Sequence, residues 1–142
     1  NDPYTWEGGL VEAPWIVKYE GFYFMFYSSN VFNTDRYALG VARAQNLLGP
    51  YTKSPNNPFA HSDLYWAGPG HCSVIPVIPQ VDTTSPNSPQ YLMFYHSYRQ
   101  GAVGDGFPRT LVMDGVHFTN DHWPYLDHYS PSFGPTPIPG TY

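Results

Sequence analysis

Apolar residues along this chain come in short dense runs rather than at helical spacing. Trp15-Ile16-Val17-Lys18-Tyr19 is followed by Glu20-Gly21, then by Phe22-Tyr23-Phe24-Met25-Phe26-Tyr27-Ser28. Aromatic and β-branched runs around a Gly-containing pair predict a tight antiparallel hairpin, the pair supplying positive φ at the turn. Both runs are apolar at nearly every position, so both faces are expected to be covered, as in stacked sheets. Tyr37-Ala38-Leu39-Gly40-Val41-Ala42-Arg43 predicts a third strand, and Tyr51-Thr52-Lys53 a short fourth. The best helical stretch, around Ala42 to Leu48, amounts to only about two turns and meets Gly49-Pro50.

The second half repeats the first. His71 to Ile78 is an apolar run, and Gln90-Tyr91-Leu92-Met93-Phe94-Tyr95-His96-Ser97 is its hairpin partner. At one constant offset Tyr23 pairs with Tyr91, Met25 with Met93, Phe26 with Phe94, Tyr27 with Tyr95 and Ser29 with Ser97. At a larger offset Pro50-Tyr51 matches Pro124-Tyr125, with a third run from Arg109 to Val116 before it. Four short strands repeating over about 45–55 residues are the signature of a propeller blade. The expected fold is therefore all-β, with one blade over about residues 11–53 and another over about 71–126. Ser54 to Gly70 and Pro79 to Pro89 are expected as loops, and the Pro-rich tail 127–142 as extended chain. A small eight-stranded β-sandwich is the alternative. Propellers close with about four to eight blades, so this chain is expected to be part of a larger fold, completed by a segment outside it.

Composition narrows the function. A length of 142 residues would by itself suggest one domain. Sixteen Pro and thirteen Gly break it into pieces too short for long helices. A net charge of −5 without a Lys/Arg cluster argues against nucleic acid as a partner. Charged residues at 12% are too few for a disordered chain, and no run reaches a membrane span of about 18 apolar residues. The chain begins at Asn1 rather than Met, and we expect it to be processed or trimmed. Cys72 is the one cysteine, so no internal disulfide can form.

Few residues are placed for chemistry. Glu12, in Gly8-Gly9-Leu10-Val11-Glu12-Ala13-Pro14, precedes an apolar strand. The innermost strand of a blade starts beside the central axis, where a carboxylate with apolar neighbours suits a general acid, or else caps a blade edge. His71, in Gly68-Pro69-Gly70-His71-Cys72-Ser73, is expected at the equivalent place of the second blade. There it could ligate an ion, orient a carboxylate or simply be hydrogen-bonded within the strand. Arg99 follows the second hairpin as a clamp for a carboxylate or sugar hydroxyls, or as a surface charge. His117, His122 and His128 lack the spacing of a zinc site. Gly104-Asp105-Gly106 lacks the strand–helix context of a phosphate loop.

Together these segments resemble glycoside hydrolase family 43. Val11-Glu12-Ala13-Pro14 before the hairpin ending Phe26-Tyr27-Ser28 is similar to that family's general-acid segment. Gly68-Pro69-Gly70-His71 with Ser73-Val74-Ile75 is similar to its central histidine segment, and Tyr95-His96-Ser97-Tyr98-Arg99 to the strand that follows. Arg109 to Asp114, then Trp123-Pro124, resemble the last blade. The resemblance spans about residues 8 to 137. It implies a five-bladed β-propeller of which residues 1–142 are the C-terminal part. It implies a secreted, inverting glycosidase removing arabinose or xylose units from plant cell-wall polysaccharides; the alternative is a non-catalytic, carbohydrate-binding propeller fragment. It further implies Glu12 as general acid and an axial ion, calcium, or a water near His71. Arg99 would position sugar, and Trp6, Trp15 and Tyr27 would offer ring platforms or blade packing. No organic cofactor is implied. The general-base Asp and a tuning Asp lie upstream of the acid in the family, so they are expected on an N-terminal segment of the same enzyme. Asp2, Asp35 and Asp114 match neither motif.

Overall fold

In the computed structural model, which describes residues 5–77 and 88–132, eight strands follow one another without a helix. They are β1 (Val11–Tyr19), β2 (Phe22–Ser29), β3 (Ala38–Ala44), β4 (Thr52–Lys53), β5 (Trp66–Pro76), β6 (Tyr91–Arg99), β7 (Thr110–Phe118) and β8 (Pro124–Tyr125). They build two four-stranded antiparallel sheets, β1-β2-β3-β4 and β5-β6-β7-β8. Each sheet is a meander of consecutive strands, the order of a propeller blade, rather than the exchanged order of a Greek-key sandwich. Residues 78–87, most of the expected second loop, and 133–142, most of the Pro-rich tail, lie outside the described residues.

Local chemistry explains the turns. Tyr19 pairs with Phe22 across Glu20 and Gly21, at φ 47° and 82°, so the hairpin closes through a two-residue turn with both centres left-handed. Ala42–Ala44, where the helical stretch was expected to begin, finish β3 by pairing with Tyr23–Met25. The loop expected up to Gly70 ends earlier. Trp66 and Ala67 pair with Arg99 and Tyr98, and Gly70 with His96, in a β5 that tolerates Gly68-Pro69-Gly70 because its register shifts on both sides of Gly70.

Of the two hairpin strands, β2 is covered as its composition predicts, but β1 is not. Val17 is its one buried residue, and Trp15 and Ile16 stay about 40% exposed because β1 is the edge strand of its sheet. Phe24, Phe26, Leu39, Val41, Val74, Met93, Tyr95 and Val116 form one core shared by the two sheets. Each such side chain contributes about 1.5–3 kcal/mol by leaving water. At the seam, Tyr19 stacks on Phe118 at 4.0 Å between centroids, and Phe24 meets Phe118 edge-on at 5.0 Å. The Tyr91 hydroxyl donates to the Lys18 carbonyl at 2.6 Å. These contacts hold the end of β1 against the start of β6 and the end of β7, and the candidate chemistry lies at the opposite end of β1.

Candidate active site

Both inner strands bulge at the same point. In β1, Glu12 pairs with Ser28 and the next pair is Trp15 with Phe26; in β5, Gly70 pairs with His96 and the next pair is Ser73 with Phe94. The first residue of each bulge is left-handed although neither is glycine: Ala13 at φ 50° and His71 at φ 56°. Such positions cost on the order of 1–3 kcal/mol and cluster at working sites. The register also corrects one expectation. The residue equivalent to Glu12 is Gly70, and His71 stands one place further along, equivalent to Ala13.

A line of hydrogen bonds joins the two bulges. The His71 N–H donates to Ser28 Oγ at 2.7 Å. The Ser28 hydroxyl is hydrogen-bonded to Tyr37, whose own hydroxyl donates to Glu12 Oε1 at 2.5 Å. Tyr37 has no exposed surface; burial, then the Glu12 hydrogen bond, push its phenol well above the ordinary value of 10.0. Its ring reaches Glu12 by lying against Gly70, where a Cβ would stand 2.0 Å from Tyr37 Cε1. Gly68, at φ 57°, likewise admits the Thr34 carbonyl, at 2.5 Å from a Cβ position. The Gly68-Pro69-Gly70 segment is thus a notch for the Tyr37 ring.

Around this line, the His71 and His96 rings lie 6.5 Å apart. Burial lowers the His96 pKa, and the charges of Arg109 and His71 lower it further. His96 Nδ1 is buried without a hydrogen-bond partner among the described residues. Arg109, whose charge also acts on Tyr37, sits with its guanidinium 5.6 Å from the Phe32 ring. Sequence reasoning read Tyr37 and Arg109 only as members of strand patterns, and their proximity to the site depends on blade packing.

Other predicted residues fall elsewhere. Tyr27 is 4% exposed; its hydroxyl donates to Glu7 Oε1 at 2.6 Å and its ring lies against Gly40 and Trp6. It therefore packs the blade and offers no face to a sugar, and the half-buried Trp6 ring packs beside it, close over Gly40. Trp15 ties the blades, its indole N–H donating to the Val74 carbonyl at 2.7 Å, with part of the ring exposed. Arg99 is exposed at the end of β6, its guanidinium lying on the buried Trp66 indole, 3.8 Å from the ring centroid. Glu7 was not anticipated. Burial raises its pKa, but hydrogen bonds from Lys53 and Tyr27, with the Lys53 charge, outweigh that and hold the carboxyl below its ordinary 4.5.

The described residues do not by themselves form a calcium site. Calcium takes about six to eight oxygen ligands, whereas His71 brings a nitrogen, and no group of three or more His, Cys, Asp or Glu side chains converges among the described residues. His117 stacks on Tyr125 and His122 packs near Phe22. Asp114 accepts from the buried Tyr95 hydroxyl at 2.6 Å. Cys72 is free and buried, its thiol pushed up to about 12 by burial, so it behaves as a small apolar side chain.

Known proteins share this fold. A thermostable family-43 glycoside hydrolase of solved structure matches with a TM-score of 0.76 and 28% identity over 96% of this chain and 42% of its own. An α-L-arabinanase from Cellvibrio cellulosa matches with a TM-score of 0.64 and 22% identity, over 82% of this chain and 36% of its own. Among curated proteins, the β-D-galactofuranosidase xynD of Aspergillus niger is 26% identical over 88 residues, 62% of this chain but 23% of that protein. The chain therefore spans under half the length of each. The fold in common is the five-bladed β-propeller, of which the two sheets are two blades. Residues 3–124 match the model of Glycosyl hydrolases family 43, and to that family the chain belongs.

Proposed function

We propose that these residues supply the proton-donating part of the active site in an inverting glycoside hydrolase. The observation that carries the reading is the carboxylate of Glu12, presented from a bulge at the start of an inner strand and held by a buried tyrosine hydroxyl. In this reading Glu12 protonates the glycosidic oxygen as the C–O bond breaks. A general-base Asp, about 6.5–9.5 Å away, activates water on the opposite face of the sugar, with a second Asp tuning the site. Both belong to an N-terminal segment of the same propeller domain. Arg109 gives the cleft a fixed positive charge near His96 and Tyr37. Substrates are arabinose-bearing or, second, xylose-bearing plant cell-wall glycans, met by a secreted enzyme. Similarity to an arabinanase and to a xylan β-1,4-xylosidase supports this substrate class.

Leaving-group dependence tests the role of Glu12. In the complete enzyme, Glu12→Gln should lower kcat/KM by about 10²–10⁴ on glycans and other poor leaving groups. On aryl glycosides with good leaving groups the loss should be far smaller, because these depart without a proton. Equal losses on both classes would count against an acid role.

A further inference from the structure

We infer that Tyr37 is the positioning residue for the Glu12 proton, an assignment that rests on the general-acid reading of Glu12. A carboxyl group has two oxygens and a free rotor, and a proton donor must present one of them within about half an ångström of the productive place. The Tyr37 hydroxyl donates to Oε1 at 2.5 Å, which leaves Oε2 as the oxygen that carries the transferable proton. Tyr37 cannot swing away, since its ring is fully buried and wedged against Gly70. When the proton moves from Oε2 to the glycosidic oxygen, the bonding pair of the C–O bond goes to that oxygen and Glu12 becomes a carboxylate. Tyr37 keeps its own proton throughout. Its hydrogen bond becomes charge-assisted as the carboxylate forms, so it is stronger in the transition state than in the ground state.

The line behind Tyr37 makes this a property of the blade seam. The His71 N–H is aimed by a left-handed backbone, donates to Ser28 Oγ at 2.7 Å, and Ser28 in turn bonds Tyr37. Successive donors polarise one another. The backbone of β5 thereby supports, through side chains from β2 and the start of β3, a carboxylate on β1. The histidine segment serves Glu12 through its main chain, whatever its ring does.

The test compares Tyr37→Phe, Ser28→Ala and Glu12→Gln in the complete enzyme, on aryl α-L-arabinofuranosides and β-D-xylosides of graded leaving-group ability, with thermal midpoints measured alongside. Tyr37→Phe should lose about ten- to hundredfold in kcat on poor leaving groups with KM unchanged, and less than about threefold on the best. Ser28→Ala should show the same asymmetry at smaller size, and it carries the test if Tyr37→Phe fails to fold. A loss equal across leaving groups, or none, overturns the inference while Glu12→Gln keeps its asymmetry. A symmetric Glu12→Gln overturns the general-acid reading, and the role of Tyr37 with it.

Discussion

Replacing Gly70 by alanine probes the notch directly. The new Cβ would stand 2.0 Å from Cε1, 2.4 Å from Cδ1 and 2.9 Å from Cζ of Tyr37, where ordinary contact begins at 3.4 Å. Gly70 is not left-handed, so alanine brings no backbone strain of its own. Either the ring or β5 must move by more than an ångström, and neither moves freely, since Tyr37 has no exposed surface. Overpacking of this kind costs about 1–3 kcal/mol. Displacing the hydroxyl from Glu12 adds about 0.5–1.5 kcal/mol for the lost hydrogen bond. Against this stands a gain of about 0.5–1 kcal/mol from the smaller entropy of an alanine unfolded chain. The expected net destabilisation is about 1–4 kcal/mol. In a Tyr37→Ala background the clash vanishes and only the entropic gain remains, so the same substitution should stabilise by about 0.5 kcal/mol. Equilibrium urea unfolding of the four proteins, with slopes compared, measures this cycle. A cost below about 0.5 kcal/mol, or the same cost in both backgrounds, would refute the notch.

Two further outcomes follow from groups outside the site. Glu7 is held below 4.5 in the folded state, so its contribution is fully present above that pH and is lost as pH falls through the folded value. The gap in urea midpoint between the native protein and Glu7→Gln should therefore shrink below pH 4.5; a gap constant into stronger acid would count against it. Arg99→Ala should lower stability by about 0.5–2 kcal/mol through the lost stack on Trp66, leaving KM unchanged. A tenfold rise in KM would support the sugar-clamp role instead.

The strands and the blade order were legible because they depend on local pattern. Aromatic runs around Glu20-Gly21 determine a hairpin whatever lies beyond it, and the repeat of Tyr23 to Ser29 in Tyr91 to Ser97 doubles the unit. The position of Glu12 at the head of an inner strand was legible for the same reason. The equivalence of His71 to Glu12 was misread by one residue, because a bulge shifts register without a mark in composition, and one residue separates Gly70 from His71. Tyr27 looked like a platform because nothing nearby in sequence reveals Glu7 and Asn57, which meet its hydroxyl in the folded blade. Tyr37 was hidden most completely. Its partners Glu12, Ser28 and Gly70 lie on three strands and in two blades, so only the packing of the blades brings them together.

Each backbone ladder closes within its own sheet, and the seam is bridged by side chains: Trp15 to Val74, Tyr91 to Lys18, Ser28 to His71, Arg43 to the Asp121 carbonyl. A β-ladder fixes spacing in steps of one residue, whereas a side-chain bridge can be lengthened or thickened by a single methylene. The tilt of one blade against the next is therefore a continuous quantity, graded by the volumes of Tyr19, Phe24 and Phe118. Substitutions along this joint would re-space groups carried on different blades by fractions of an ångström, with no strand broken and no catalytic side chain exchanged.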